Sequence, residues 1–169
     1  MPKGLKETSS LIQISTSLVE SATNTFTQGQ VDLQLNPLDN EVFICYAIDI
    51  NAATPDLNAN LASSTFASVS TTSRTTVGSM AASNVLGIAQ HDIRNDGVSA
   101  VGFSQVAPET PTGMGLSYVG IIATNDFFVQ ILGVNNLNPK DVEVRLYGVR
   151  AKADSSIYAA LVQGEMLSS

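Results

Sequence analysis

Apolar and polar residues alternate along much of the chain, and this pattern predicts a protein built mainly of β-strands. In residues 30–35 the alternation is complete, with Val31, Leu33 and Leu35 on one face, as expected for a half-buried strand. The turn Asn36-Pro37-Leu38-Asp39-Asn40 follows. Residues 41–51 are apolar at both parities, which predicts a strand in the middle of a sheet.

Six further segments carry weaker strand patterns, which brings the predicted total to eight strands. These segments are residues 11–27, 65–77, 98–106, 116–124, 127–134 and 142–152. The segment 65–77 is rich in Ser and Thr, which is typical of a solvated sheet face. In the last segment the apolar residues change parity near Gly148, which indicates a β-bulge at that glycine.

Two segments follow a helical period instead. After Ser83, a predicted N-cap, a narrow apolar stripe predicts a short helix between the fourth and fifth strands: Val85, Leu86, Ala89 and Ile93. After Asp154 or Ser155, a second stripe predicts an amphipathic C-terminal helix: Ile157, Tyr158, Leu161 and Val162. The chain therefore divides into a polar N-terminal arm at residues 1–10, a β-sandwich at residues 11–153 and a C-terminal helix at residues 154–169.

Composition narrows the class of partner. The hydrophobic fraction is 44% and the charged fraction 14%, and uncharged polar residues fill the difference, as in β-rich proteins. The net charge of −7 disfavours a broad attraction to nucleic-acid phosphates or anionic lipids. No segment has the ~20 apolar residues that span a bilayer, and the N-terminus lacks the apolar core of a signal peptide. We therefore expect a soluble chain made in a reducing compartment.

Candidates for catalysis are few. His91 is the sole histidine, so a Ser-His-Asp triad would have to use it, but no Gly-x-Ser-x-Gly segment accompanies it. The simpler interpretation is a solvent-facing side chain near the end of the first predicted helix. Cys45, the single cysteine, lies in an apolar run, which predicts a buried thiol with no disulfide and no zinc site. We expect no enzyme activity and no cofactor.

The spacing of acidic and glycine residues gives little support to metal or phosphate binding. Asp49, Asn51 and Asp56 are close enough along the chain to bind a calcium ion at a strand end, but they match no EF-hand loop. Because Asp and Asn at strand ends usually cap turns, we expect no metal. Gly113-Met114-Gly115 lacks the Lys-Ser/Thr that completes a phosphate-binding loop, which predicts a turn.

The C-terminal region holds the candidates for contacts between subunits. Half of the basic residues cluster there among acidic ones, which indicates a balanced sheet face or a subunit contact: Lys140, Arg145, Arg150 and Lys152. The apolar stripe of the C-terminal helix either packs on its own sheet or docks on a neighbouring subunit. The predicted assembly residues are Ile157, Tyr158, Leu161, Val162, Arg145 and Arg150.

Two strand pairs, one around Asn36-Pro37-Leu38-Asp39-Asn40 and one around Asn125-Asp126, resemble those of a known family. They are similar to strands of small single-jelly-roll major capsid proteins from tailless, membrane-containing viruses of archaea and bacteria. The resemblance is architectural, covers nearly the whole chain and carries over no functional residues. It implies an all-β, eight-stranded jelly-roll sandwich with one short inserted helix and a C-terminal helix.

The resemblance also implies a function, that of a structural viral protein that self-assembles into an icosahedral shell. It implies synthesis in the host cytoplasm, a place in the virion, and copies of itself and other virion proteins as partners. Many capsid proteins neutralise the genome with a basic N-terminal arm, but this arm offers only Lys3 and Lys6. The inner face is therefore expected to meet an internal membrane or another protein shell, without direct sequence-specific binding of nucleic acid.

Two other classes of protein fit the same composition. One is a tail-tube or head-decoration protein of a tailed phage, which is also small, β-rich and poor in catalytic groups. The other is a β-sandwich carbohydrate-binding module, although such modules usually present exposed aromatic side chains and aromatics make up only 6% of this chain. The geometry of assembly separates the first alternative from a capsid shell.

Overall fold

Two antiparallel β-sheets, joined by an apolar core, form the body of the protein. The computed structural model describes residues 2–98, 100–107 and 117–168, and ten strands lie within them. The strands are β1 (Leu5–Glu7), β2 (Ile12–Val19), β3 (Thr27–Asp32), β4 (Glu41–Ala52), β5 (Ser63–Ser70), β6 (Val85–Asn95), β7 (Val101–Val106), β8 (Gly120–Ile122), β9 (Asp126–Val134) and β10 (Asp141–Ala153). A 3₁₀-helix spans Pro37–Asp39, and α1 spans Ser155–Leu167.

The strands pair in a nested order, in which the earliest strands along the chain pair with the latest ones. Sheet A has β10 and β4 at its centre, β8 at one edge, and β1 and β2 one after the other along the opposite edge. Sheet B has the order β3-β9-β5-β6-β7. Strands from the first half of the chain therefore pair with strands from the second half, β2 with β10, β3 with β9, β4 with β8 and β5 with β6. All of these pairs are antiparallel.

The main core lies between the two sheets. Alternation along β9 and β10 turns one face of each strand inward, and the six inward side chains are at most 2% exposed: Phe127, Val129, Ile131, Val142, Val144 and Leu146. Each Å² of apolar surface removed from water contributes roughly 25 cal/mol, so this layer is the main source of stability. The all-β, two-sheet architecture predicted from the alternation is confirmed.

The segment before the Pro37 turn keeps its predicted pattern. β3 ends at Asp32, yet Leu33 and Leu35 are buried and Gln34 is exposed, so the alternation continues past the strand. Gln34 has a left-handed backbone, with φ of 53°, which marks where the chain turns out of sheet B. β4 lies between β10 and β8, which confirms the central strand predicted for residues 41–51.

A β-bulge interrupts the pairing of the two central strands of sheet A. Tyr147 lies opposite Ala47, but Gly148 lies opposite Cys45, so Tyr46 is an extra residue on β4. The bulge predicted near Gly148 is confirmed in position, but the extra residue is on the partner strand, and β10 itself alternates without interruption. A Cβ at position 148 would lie 2.1 Å from a backbone carbonyl oxygen of β4, so the site requires glycine.

The bulge exchanges the two faces of β4. Before it, Phe43 and Cys45 point into the main core, and after it Ile48 and Ile50 do so. The opposite face before the bulge, which includes Val42, belongs to a second apolar cluster on the outside of sheet A. Two apolar clusters are therefore built on one central strand pair.

The predicted helix after Ser83 is wrong, because these residues form strand β6. Ala89 and His91, two residues apart, are its buried residues, which is a strand pattern. β6 pairs with β5 on one side and β7 on the other, so its backbone hydrogen bonds are satisfied by the sheet. Gly87 and the β-branched Ile88 also disfavour a helix. The positions 85, 86, 89 and 93 fit a helical period only by coincidence.

Ten strands are found where the pattern predicts eight, and the two additional strands are β1 and β6. β1 lies within residues 1–10, which the sequence marks as a polar arm, and pairs with the end of β10. Leu5, its apolar residue, is buried in the second cluster. Part of the predicted arm is therefore an edge strand of sheet A.

The strand within the Ser- and Thr-rich segment 65–77 is not solvated, although Ser73, Thr75 and Thr76 beyond it are exposed. The strand within it, β5, ends at Ser70, and Ser68 and Ser70 are fully buried. Ser68 donates a hydrogen bond of 2.7 Å to Oε1 of Gln130, and Nε2 of Gln130 donates one of 2.7 Å to Ser70. Because β9 supplies this partner, the hydroxyls are buried at little cost, and the predicted solvation is wrong.

Replacing Gly148 with alanine should destabilise the protein by more than about 3 kcal/mol, because the new methyl group overlaps the β4 backbone, which cannot move without breaking the sheet. Gly164→Ala in α1 is the matched control, since a Cβ there meets no atom within 4 Å and alanine favours a helix. Urea denaturation of both variants measures the difference. Equal stabilities would contradict the close approach at the bulge.

Candidate functional site

The outer face of sheet A has an apolar half, and α1 covers it. Val42 and Ile44 of β4 and Val149 and Ala151 of β10 are all buried in the second cluster. Four residues of α1 pack on them: Ile157, Tyr158, Leu161 and Val162. These are residues predicted for assembly, and the structure places them on the chain's own sheet, each half buried. Their role in contacts between subunits stays a prediction.

A buried carboxylate fixes the end of α1. Glu165 is 9% exposed, and its two carboxylate oxygens accept hydrogen bonds of 2.9 Å from the backbone N–H groups of Ala123 and Thr124. These donors follow β8, so the helix is fastened to the edge of sheet A. No role for Glu165 was predicted from the sequence. The available signal was its position, four residues after Leu161 on the apolar stripe.

The other half of the outer face is a polar groove of about 490 Å³, lined mainly by residues of β2, β4 and β10. Its polar lining consists of Ser15, Thr16, Ser17, Asp49, Asn51, Glu143 and Arg145. The guanidinium of Arg145 lies 3.3 Å from the hydroxyl of Tyr147, and this hydrogen bond raises the pKa of Arg145 above its usual value. Arg145 is exposed, and its role in contacts between subunits stays a prediction.

The three calcium candidates do not form one site. Asp49 and Asn51 line the groove, whereas Asp56 does not. One oxygen of Asp56 lies 2.6 Å from Nζ of Lys140, and the other accepts backbone hydrogen bonds from Leu137 and Asn138. No group of three or more His, Cys, Asp or Glu residues in the described part of the chain is arranged to hold a metal ion. Asp56 has the turn-capping role that strand-end carboxylates usually have.

Buried polar groups organise the loops at one end of the sandwich. Glu20 is 4% exposed and accepts backbone hydrogen bonds from Gly133 at 2.6 Å and from Lys140 at 2.8 Å. It therefore joins the end of β2 to the connection between β9 and β10. No role for Glu20 was predicted from the sequence, since two of its three backbone donors lie more than a hundred residues away and only Thr25 is local.

The four basic residues near the C-terminus do not share one surface. Arg150, predicted for assembly, donates to the backbone oxygens of Leu33 and Gln34 and lies 3.3 Å from Glu41. Lys152 pairs with Asp39 at 2.7 Å. With Lys140 held by Asp56, three of the four side chains have carboxylate partners within the chain. Any assembly role for Arg150 is a prediction that competes with these contacts.

The two candidate nucleophilic or basic side chains lie in the interior. Cys45 is fully buried, as predicted, and burial raises the pKa of its thiol to about 12. His91 is 8% exposed in the strand β6, so the prediction of a solvent-facing residue near a helix end is wrong. Its ring stands edge-on to Phe103, with centroids 6.0 Å apart. No protein partner reaches Nδ1 of His91 within the described residues.

Two remaining features concern phosphate and membrane binding. The turn predicted at Gly113-Met114-Gly115 lies outside the described residues. Among the described residues, no helix is long and apolar enough to cross a membrane.

Asp56→Asn should destabilise the protein by about 2 kcal/mol at pH 7, because it removes a charged hydrogen bond to a largely buried lysine. Lys140 lowers the pKa of Asp56, so the stabilisation is present above the usual carboxyl pKa and is lost as the pH falls through the lowered value. The difference between wild type and variant should therefore shrink below about pH 4.

The control is Asp39→Asn, which removes an exposed pair and should cost under about 1 kcal/mol. Chemical denaturation between pH 3 and 7 measures both variants. A constant difference across this range would contradict the assigned role of Asp56.

Ile157→Asp should destabilise the protein by about 2–4 kcal/mol, because it places a charge against the second apolar cluster. Ala159→Asp is the control, since Ala159 is on the exposed side of the same helix. Thermal melts followed by circular dichroism compare the two. Equal melting temperatures would show that the packing of α1 on sheet A does not contribute to the stability of the protein.

Comparison with known proteins assigns no family to the chain. No family model, curated protein or solved structure matches it. Any assignment of function therefore rests on the chain's own residues and topology.

Proposed function

We propose that this chain is a structural viral protein, a major capsid protein that folds as a jelly roll and self-assembles into an icosahedral shell. The observation that carries the proposal is the nested strand order of the two sheets. The proposal involves no catalytic step and no cofactor.

Nested pairing is the property that defines a jelly roll, in which one long antiparallel hairpin is rolled into two sheets. Here β2, β3, β4 and β5 pair in turn with β10, β9, β8 and β6, as they would in such a hairpin. β1 and β2 occupy one edge of β10 and count as one interrupted strand. With β7 as an extension of sheet B, the remaining strands make the eight of a jelly roll.

The placement of polar groups also supports a structural role. Glu20, Glu165 and Asp56 each bind backbone N–H groups that belong to other segments of the chain. Arg150 binds backbone oxygens in the same way. These side chains hold loops and a helix in place, and a rigid body with fixed loops is what a repeated lattice requires.

The proposed partners are further copies of this chain and other proteins of the virion. With 15 acidic and 8 basic residues, long-range repulsion opposes direct contact with a genome. An internal membrane or a second protein layer is the better counterpart for the inner face, and Arg145 on the exposed groove of sheet A is a candidate for subunit contacts.

Purified protein should form closed, symmetric particles, because the proposed contacts repeat between identical copies. Light scattering across salt and protein concentration, followed by negative-stain electron microscopy, tests this. Closed shells support the proposal. Open tubes would favour a tail-tube protein, and a clean monomer under all conditions would overturn self-assembly.

A further inference from the structure

β7 is the least covered strand of the molecule. It forms the open edge of sheet B, and all six of its residues are exposed. Val101 and Phe103 are 59% and 56% exposed, although both share the face of the sheet on which the core lies. Sheet A does not reach over them. An open edge with uncovered apolar side chains is a site for pairing with another strand.

The other edge strands are protected in ways that β7 is not. β8 has only three residues, and β1 carries Lys6 and Glu7. On β2, Ile14 and Leu18 pack against the main core. β3 ends in Asp32. The sequence of β7, VGFSQV, has no charge and no proline to discourage pairing.

The hydrogen-bonding groups on the open side of β7 follow from its hairpin with β6. The N–H of Asp96 donates to the oxygen of Ala100 at 3.2 Å, and the register continues with Arg94 opposite Gly102. Because antiparallel strands alternate, Gly102 and Ser104 direct their backbone groups to β6. Val101, Phe103 and Gln105 therefore direct theirs away from the sheet.

We propose that β7 of a second copy of this chain pairs antiparallel with β7 about a two-fold axis centred on Phe103. Phe103 then lies opposite the second copy's Phe103, and Val101 lies opposite the second copy's Gln105. The outward groups of the two strands form about six main-chain hydrogen bonds. The two copies of sheet B become one continuous sheet across the axis. The inference deepens the proposed self-assembly and rests on it.

Side chains on both faces favour this register. On the inner face, Ile93 lies beside Phe103 across β6 and β7, so the two copies form one apolar row. On the outer face, Arg94 lies beside Gly102, where a Cβ would meet no atom within 4 Å. Arg94 has no ion pair within the described residues. Across the axis its row continues with the second copy's Ser104 and then Asp92.

This row gives the contact charge complementarity. Gly102 and Ser104 are small, so the long side chain of Arg94 can extend over them towards the second copy's Asp92. That carboxylate accepts hydrogen bonds from Ser64, Gln90 and Ser104 of its own copy, so it attracts Arg94 across the row as a charge and not as a direct hydrogen-bond partner. The two-fold axis repeats the arrangement, which gives two such pairs per contact. Opposite charges therefore lie on the same row across this edge, although the chain as a whole carries a charge of −7.

Cross-linking through a single engineered cysteine tests the contact. In Phe103→Cys, the two thiols face each other across a hydrogen-bonded antiparallel pair, at a Cα separation of about 5.5 Å that a disulfide can bridge. The native Cys45 is buried and does not compete. Leu38→Cys is the control, since Leu38 is 94% exposed and lies far from β7 in sequence. With oxidised glutathione as the oxidant, Phe103→Cys should form disulfide-linked dimers at least ten times faster than Leu38→Cys.

A charge-swap experiment gives a second readout. Phe103→Glu and Phe103→Lys should each weaken association at least tenfold, because like charges meet at the axis. An equimolar mixture should recover most of the wild-type association, since Glu then faces Lys. Circular dichroism of each variant verifies that the fold is intact.

The outcomes separate this contact from the proposed function. Shells from the wild type, with equal cross-linking rates for the two cysteine variants, would overturn the β7 contact and leave self-assembly standing. Selective cross-linking at position 103 without shells would support the contact and overturn the capsid proposal. A monomeric wild type with no selective cross-linking would overturn both.

Discussion

The pairing of β4 with β10 is the interaction on which the rest of the structure depends. These strands lie at the centre of sheet A, and one bulge, with Tyr46 as the extra residue and Gly148 opposite, exchanges the faces of β4 against an uninterrupted β10. Because β4 changes parity at the bulge, one strand pair contributes to the core between the sheets and also to the cluster beneath α1. Without this change of parity, Ile48 and Ile50 would lie on the outer face of sheet A, and Asp49 and Asn51 would lie in the core.

The division of sheet A determines which surfaces remain for other molecules. α1 covers the apolar half of its outer face, and Glu165 fixes the helix there. The other half is polar, so neither half leaves a large apolar surface in water. The main uncovered apolar strand is β7 of sheet B. In the proposed assembly, α1 packs on its own sheet A, and the free edge of sheet B contacts a second copy.

The local sequence pattern predicted the strands that can be recognised from their own residues. β4 was recognised because it is apolar on both faces, and β9 and β10 because apolar residues recur at every second position. The change in apolar parity near Gly148 led to the right place for the bulge, although the extra residue is on β4. β6 was predicted as a helix because its strand character depends on β5 and β7, which no local window includes. Glu20 and Glu165 were missed for a similar reason, since both donors of Glu165 and two of the three donors of Glu20 are distant in the chain. Asp49, Asn51 and Asp56 are close in sequence. Asp56 nevertheless pairs with Lys140 and does not line the groove that contains Asp49 and Asn51.

The most direct test of the central claim is hydrogen–deuterium exchange of the assembled protein compared with the dissociated protein. The claim is that the apolar face of α1 is covered by its own copy, and that the outward backbone groups of β7 are hydrogen-bonded by β7 of a second copy. Peptides covering residues 101–106 should exchange at least ten times more slowly on assembly, whereas peptides covering residues 155–167 should not change. Slower exchange in α1 with no change in β7 would contradict the claim.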